Sequence, residues 1–99
     1  PTLSAREISL LFSIVGTLYY LQEHYEKSIA CFMKALSWYR EDMVPWIELM
    51  FAIRAAEDYS TFESIIFNLE DLFSQWRTSA EKELTKHTLM GMIEKHKGR

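Results

Sequence analysis

An all-α fold is what the sequence predicts, and three observations predict it. Turn formers are scarce: 3 Gly and 2 Pro in 99 residues leave few breaks and long elements. Helix-start signals recur, with Ser or Thr followed three residues later by Glu at Ser4–Glu7, Ser60–Glu63 and Thr78–Glu81. Between them, apolar residues return at helical spacing. About five helices are expected, folded back on one another as antiparallel hairpins.

The first helix is expected from about Ala5 to Gln22, opened by the Ser4–Glu7 capping box. Ile8, Leu11, Phe12, Val15, Leu18 and Tyr19 face one way, while Leu10, Ile14, Tyr20 and Leu21 face others. A helix that is apolar all round is buried all round, so something must cover each side. The chain turns at Glu23–His24. A second helix follows from about Tyr25 to Tyr39, with Glu26, Lys27, Lys34 and Arg40 on its wet face and Ile29, Phe32, Met33, Leu36 and Trp38 on its packed face. Glu41-Asp42-Met43 is the linker. The third helix, about Val44 to Glu57, carries Pro45 in its first turn, where a missing N–H is harmless. Trp46, Ile47, Leu49, Met50, Phe51 and Ile53 make it apolar nearly all round. Asp58-Tyr59 is the next turn. The Ser60–Glu63 box opens a fourth helix to about Trp76, its core face formed by Ile65, Ile66, Leu69, Leu72 and Phe73. A fifth helix over about Ser79 to Lys95 has a looser pattern of Leu84, Leu89, Met92 and Ile93, and Lys95 to Arg99 is expected to fray.

The first hairpin organises the rest. Gly16 has no Cβ to hold two backbones apart, and Ser28 and Ala35 are small from the other side. Phe32 and the tyrosines fill the remaining space. This spacing resembles the tetratricopeptide repeat, a unit of about 34 residues with the pattern W-x2-L-G-x2-Y…A-x3-F…P. Phe12 stands at the Trp position, Val15 at Leu, Gly16 at Gly, Tyr19 at Tyr, Ser28 at the small Ala position, Phe32 at Phe and Ala35 at the second small position. Arg40 departs from the closing Pro. One period on, Phe12 and Val15 are answered by Trp46 and Leu49, and Tyr19, Tyr25, Phe32 and Ala35 by Ile53, Tyr59, Ile66 and Leu69. The second unit is degenerate, because Gly16, Ser28 and Ile29 are answered by Met50, Phe62 and Glu63. The resemblance implies a single domain over 1–99, a right-handed α-solenoid with repeats at about 9–42 and 43–76. A terminal helix over about 79–95 would shield the last apolar face.

Composition narrows the function. Hydrophobic residues at 48% and charged ones at 25% are ordinary for a globular domain. The net charge of −3 is uneven: residues 1–76 sum to −6 and residues 77–99 to +3. That pairing would favour docking of the basic tail on the acidic body, and it gives little of the broad basic surface that nucleic acids select. Cys31 is alone and reads as a small buried thiol. The apolar run Ile8–Leu21 is too short to span a membrane. It lacks the basic flank and cleavage site of a secretory leader. An intracellular, cytoplasmic protein is expected.

No signature of an enzyme stands out. There is no phosphate-binding glycine loop, no nucleophile set beside a base, and no Cys/His cluster at metal spacing. Glu83 and His87 lie one helical turn apart, but two candidate ligands are too few, and they read as a surface pair. The adjacent acids Glu41–Asp42 and Glu70–Asp71 point apart on a helix. No cofactor or metal is expected.

A binding surface is more legible. In the tetratricopeptide family, the first helix of each repeat lines a concave groove for a peptide or a partner's helix. Carried over by position, the resemblance implies partner-binding residues Leu10, Ser13, Ile14, Thr17, Tyr20 and Leu21 on the first helix. On the third it implies Val44, Ile47, Glu48, Phe51 and Arg54. These residues are also those left over once the inter-helix core is assigned. Family members that grip carboxylate tails use Lys and Asn where this chain has Ser13, Thr17, Ile47 and Phe51, so that clamp is absent. An apolar groove suits an amphipathic helix or apolar segment, with Tyr20 and Phe51 as anchors and Glu48 and Arg54 setting orientation. The expected function is protein–protein interaction, as an adaptor, scaffold or small chaperone. The same surface would equally suit a second copy of the chain, or adjoining repeats if the sequence is a piece of a longer array. A helical-repeat RNA binder, using Arg77, Lys82, Lys86, Lys95, Lys97 and Arg99, is the alternative from another class.

Overall fold

A computed structural model describes residues 2–75 and 80–98. Its regular structure is α-helical, with no strand among the described residues. The elements are α1 (Ala5–Leu21), α2 (Tyr25–Trp38), α3 (Met43–Ala56), α4 (Tyr59–Gln75) and α5 (Ala80–Lys97). The chain divides into two compact units, Pro1–Glu57 with α1 to α3 and Asp58–Arg99 with α4 and α5. Among the described residues, no helix is long and apolar enough to cross a membrane.

In the first unit, the Ser4–Glu7 capping box forms as predicted. The Glu7 amide donates to Ser4 Oγ at 3.2 Å and the Ser4 amide donates to Glu7 Oε1 at 3.1 Å. α1 ends in a Schellman turn: the Glu23 amide donates to the Tyr20 carbonyl at 3.0 Å and the His24 amide to the Tyr19 carbonyl at 2.9 Å. Closing it puts Glu23 at φ 63°, a left-handed conformation that ordinarily takes Gly or Asn. α2 then runs back along α1. Where they cross, Gly16 lies against the Phe32 ring, and Ser28 Oγ donates to the Gly16 carbonyl at 2.8 Å. Ser28, Phe32 and Ala35 are all buried at this crossing. Burying a side chain of Phe32's size contributes about 1.5–3 kcal/mol. Tyr20 meets Tyr25 edge-on at 5.5 Å, Lys27 sits over Tyr19, and Arg6 sits over Tyr39.

The buried seam of α1 is only partly the apolar face expected, of which Ile8, Phe12 and Tyr19 are half-buried. Ser9, Ser13 and Gly16 are buried, whereas Leu11, Val15 and Leu18 are 51%, 43% and 54% exposed. The close approach is clear at Gly16, where an added Cβ would lie 2.8 Å from the Phe32 ring. On α2, Met33 and Trp38 are exposed, contrary to expectation, while Ile29 and Phe32 are buried.

α3 starts one residue earlier than predicted, because Asp42 caps it by accepting from the Val44 amide. Pro45 falls in its first turn, and Trp46, Leu49, Met50, Ala52 and Ile53 are buried. The Trp46 indole N–H donates to the Arg40 carbonyl at 2.9 Å, tying α3 to the segment before it. α3 closes at Glu57, also left-handed at φ 55°.

In the second unit, the predicted Ser60–Glu63 box gives way to Asp58. Its carboxylate accepts from the Thr61 amide at 3.1 Å and from the Thr61 hydroxyl at 2.6 Å, so Tyr59 and Ser60 belong to the helix. Phe62, Ile65, Ile66 and Leu69 form the buried stripe of α4. The side chains of Leu72 and Phe73 and the expected helix end at Trp76 lie outside the described residues, as do Arg77, Thr78 and Ser79 of the third start signal. α5 continues to Lys97 instead of fraying at Lys95. It buries Leu89 and Ile93 but leaves Leu84 70% exposed, because Leu84 is off their i,i+4 line.

Candidate functional site

The first unit carries an open groove between α1 and α3. α1 supplies Leu10, Ser13, Ile14, Thr17 and Leu18; Asp42, Val44, Pro45 and Glu48 supply the other side, around about 330 Å³ of space. A smaller hollow of about 90 Å³ is lined by Thr17, Tyr20, Phe32, Glu48 and Phe51. Thr17 and Glu48 are common to both. Helical spacing explains the α1 wall: residues 10, 14, 17 and 18 recur at three and four and so share a face. Leu10, Ile14, Leu18, Val44 and Phe51 are each between 45% and 56% exposed.

The floor is polar. The Thr17 hydroxyl lies between the Ser13 carbonyl, at 3.0 Å, and the Glu48 carboxylate, which it meets at short range. This contact bridges α1 and α3, which otherwise touch sparsely. Among the described residues, the Ser13 hydroxyl is buried with no hydrogen-bond partner, and so is that of Ser9. Such groups are uncommon in a settled interior, and here both sit on one helix seam.

Of the eleven residues expected at a partner-binding surface, Leu10, Ser13, Ile14, Thr17, Tyr20, Val44, Glu48 and Phe51 line these two hollows. Leu21, Ile47 and Arg54 do not. Leu21 is 72% exposed beyond the end of the groove, Arg54 is exposed, and Ile47 is half-buried. The lining also includes Leu18, Asp42 and Pro45, which sequence reading gave to the core, the linker and a helix start. Asp42 was detectable, because an Asp before an apolar helix is a ready N-cap. Leu18 was not, since its inward assignment assumed that leucines fill the seam.

The titratable groups show little chemistry. Burial pushes the Cys31 thiol up, and the residue is half-buried where a buried one was expected. Hydrogen bonds from Ser4 hold the Glu7 carboxyl below its ordinary range, and those from Thr61 do the same for Asp58; both are helix caps. His87 Nε2 stands 3.8 Å from Glu83 Oε2 on the exposed surface of α5. Among the described residues, no three His, Cys, Asp or Glu side chains are grouped to hold a metal ion. Of the basic residues in the RNA reading, Arg77 and Arg99 lie outside the described residues, as do the side chains of Lys82 and Lys97.

No protein-family model, curated protein or solved structure matches the chain.

Proposed function

We propose that the chain is a protein–protein interaction module, binding an apolar or amphipathic segment in the groove between α1 and α3. The observation that carries this reading is a groove with apolar walls, Leu10, Ile14, Leu18 and Val44, continued by the hollow that Phe51 lines, each of these side chains about half exposed. Exposed apolar surface gathered in a concavity marks a docking site more often than a scatter of single residues does. Its apolar walls, set between two helices, suit an amphipathic helix laid into it. The tetratricopeptide-like arrangement is part of this proposal, supported by the close Gly16–Phe32 crossing and by the spacing that predicts it. A binding role also fits titratable groups that serve as caps and surface pairs.

A second reading, self-association, is favoured by a separate observation. Leu11 and Val15 are exposed on α1 away from the groove lining, so apolar surface extends past the groove. Light scattering on a sizing column across a range of concentrations separates the two. The groove reading predicts a monomer that binds a fluorescent amphipathic peptide with a Leu/Ala apolar face and a Gln polar face. Phe51→Glu should abolish that binding with no change in far-UV circular dichroism. A dimer dissolved by Leu11→Glu and not by Phe51→Glu would establish self-association instead. Loss of helicity in Phe51→Glu would place Phe51 in the core and end the groove reading.

A further inference from the structure

We propose that the segment this groove accepts is a basic amphipathic helix, with a Lys or Arg seated against Glu48 between apolar residues that meet the two walls. The proposal rests on the groove reading above and adds the chemistry of the partner.

Charge is the first argument. The charged residues lining the groove and its adjoining hollow are Asp42 and Glu48, both acidic, with no cation among the lining residues. Glu48 is half-buried, and the one hydrogen bond it accepts among the described residues is from the Thr17 hydroxyl. Among the described residues it has no ion-pair partner. A carboxylate offers about four acceptor positions, so one hydroxyl leaves most of its capacity unmet. A partner's ammonium or guanidinium would supply the donors. A partner's carboxylate would place like charges side by side in a partly dry site.

The second argument is geometric: axial spacing sets the partner's register. Asp42 caps α3 and Glu48 lies six residues on, a rise of about 9 Å. On a helix lying alongside, that is close to the separation of residues i and i+7, about 10.5 Å. Two basic residues two turns apart would reach both acids, with apolar residues at i+3 and i+4 between them. The net −6 of residues 1–76 would steer such a cation toward the body.

Three labelled peptides of about 18 residues, five helical turns, share one Leu/Ala face and carry Lys, Gln or Glu on the other. Their binding to the full chain is read by fluorescence anisotropy over a series of salt concentrations. The Lys peptide should bind roughly tenfold or more tighter than the Glu peptide. Glu48→Gln, which keeps the shape and the Thr17 contact, should shrink that ratio below about threefold. Phe51→Glu should abolish binding of all three. Equal affinity for the three peptides, still lost in Phe51→Glu, would overturn the basic-partner inference and leave the groove reading standing. A Lys preference undiminished in Glu48→Gln would assign it to diffuse surface acidity and overturn the inference as well. Binding of none of the peptides would overturn both readings. A stable dimer that the Lys peptide fails to dissociate would make the occupant a second copy of the chain.

Discussion

Replacing Gly16 with Ala sets two effects against each other, and the structure decides between them. In an open helix, Gly to Ala stabilises by up to about 1 kcal/mol. At Gly16 the added methyl would lie 2.8 Å from Phe32 Cε1, 3.0 Å from Cδ1 and 3.1 Å from Cζ. Relieving that overlap takes a shift of about 0.6 Å, to reach the 3.4 Å where ordinary contact begins. The ring has no free space to enter, because Phe32 is 1% exposed. The helices cannot part without stretching the bond from Ser28 Oγ to the Gly16 carbonyl. Overpacking of this kind destabilises by about 1–3 kcal/mol, so the net is a loss of about 1 kcal/mol, and at most about 2. For a chain of this length, 1 kcal/mol lowers the melting temperature by roughly 4–8 °C. Gly91 is the control: it lies inside α5 with nothing within 4 Å of an added Cβ. Gly91→Ala should therefore raise stability by about 0.5–1 kcal/mol. Urea unfolding followed by circular dichroism would read both signs. In a Phe32→Leu background, which opens room at the crossing, Gly16→Ala should become neutral or stabilising. A Gly16→Ala variant stabilised as much as Gly91→Ala would refute the close crossing of α1 and α2.

Trp46→Ala should destabilise by about 3–5 kcal/mol, since the side chain is 5% exposed and its N–H is bonded; a urea result below about 1 kcal/mol would contradict its place in the core. Glu23→Gly should stabilise by about 0.5–1 kcal/mol: relief of a left-handed Glu exceeds the entropy that Gly loses on folding, and a loss of stability would contradict the Schellman turn. Glu7 and Asp58 have folded pKa values held below their unfolded ones, so their capping contribution is complete above the unfolded values and fades as pH falls through the folded ones. The double variant Glu7→Gln, Asp58→Asn should thus lose less of its urea midpoint than the parent between about pH 6 and about pH 3, and parallel profiles would refute the capping assignment.

Much of the architecture was legible because it is written in local signals. The Ser4 box, Pro45 in a first turn and the Gly16–Ser28–Phe32 spacing each act over a few residues, and each is found where it was read. Misreadings arose where two local signals compete or where packing overrides hydropathy. Asp58 and Ser60 both match a helix cap; Asp58 wins because its carboxylate reaches both the amide and the hydroxyl of Thr61. On α1, hydropathy nominates Leu11, Val15 and Leu18 for the interior, but Ser9, Ser13 and Gly16 are buried instead, and at Gly16 the Phe32 ring leaves no room for a Cβ. The Thr17–Glu48 contact was out of reach, since it depends on the register of α1 against α3, which no spacing within one helix encodes.

The serine–glycine seam of α1 inverts the usual mutational spectrum of a helix. In a library selected only for folding, Ser9, Ser13 and Gly16 should tolerate almost nothing larger, and the serines would be free to become alanine. Leu10, Leu11, Ile14 and Leu18 should drift readily to polar residues, because the fold asks little of them. A library selected for association should keep those four apolar. The difference between the two libraries, position by position along one helix, separates what holds α1 in place from what any association would require of it.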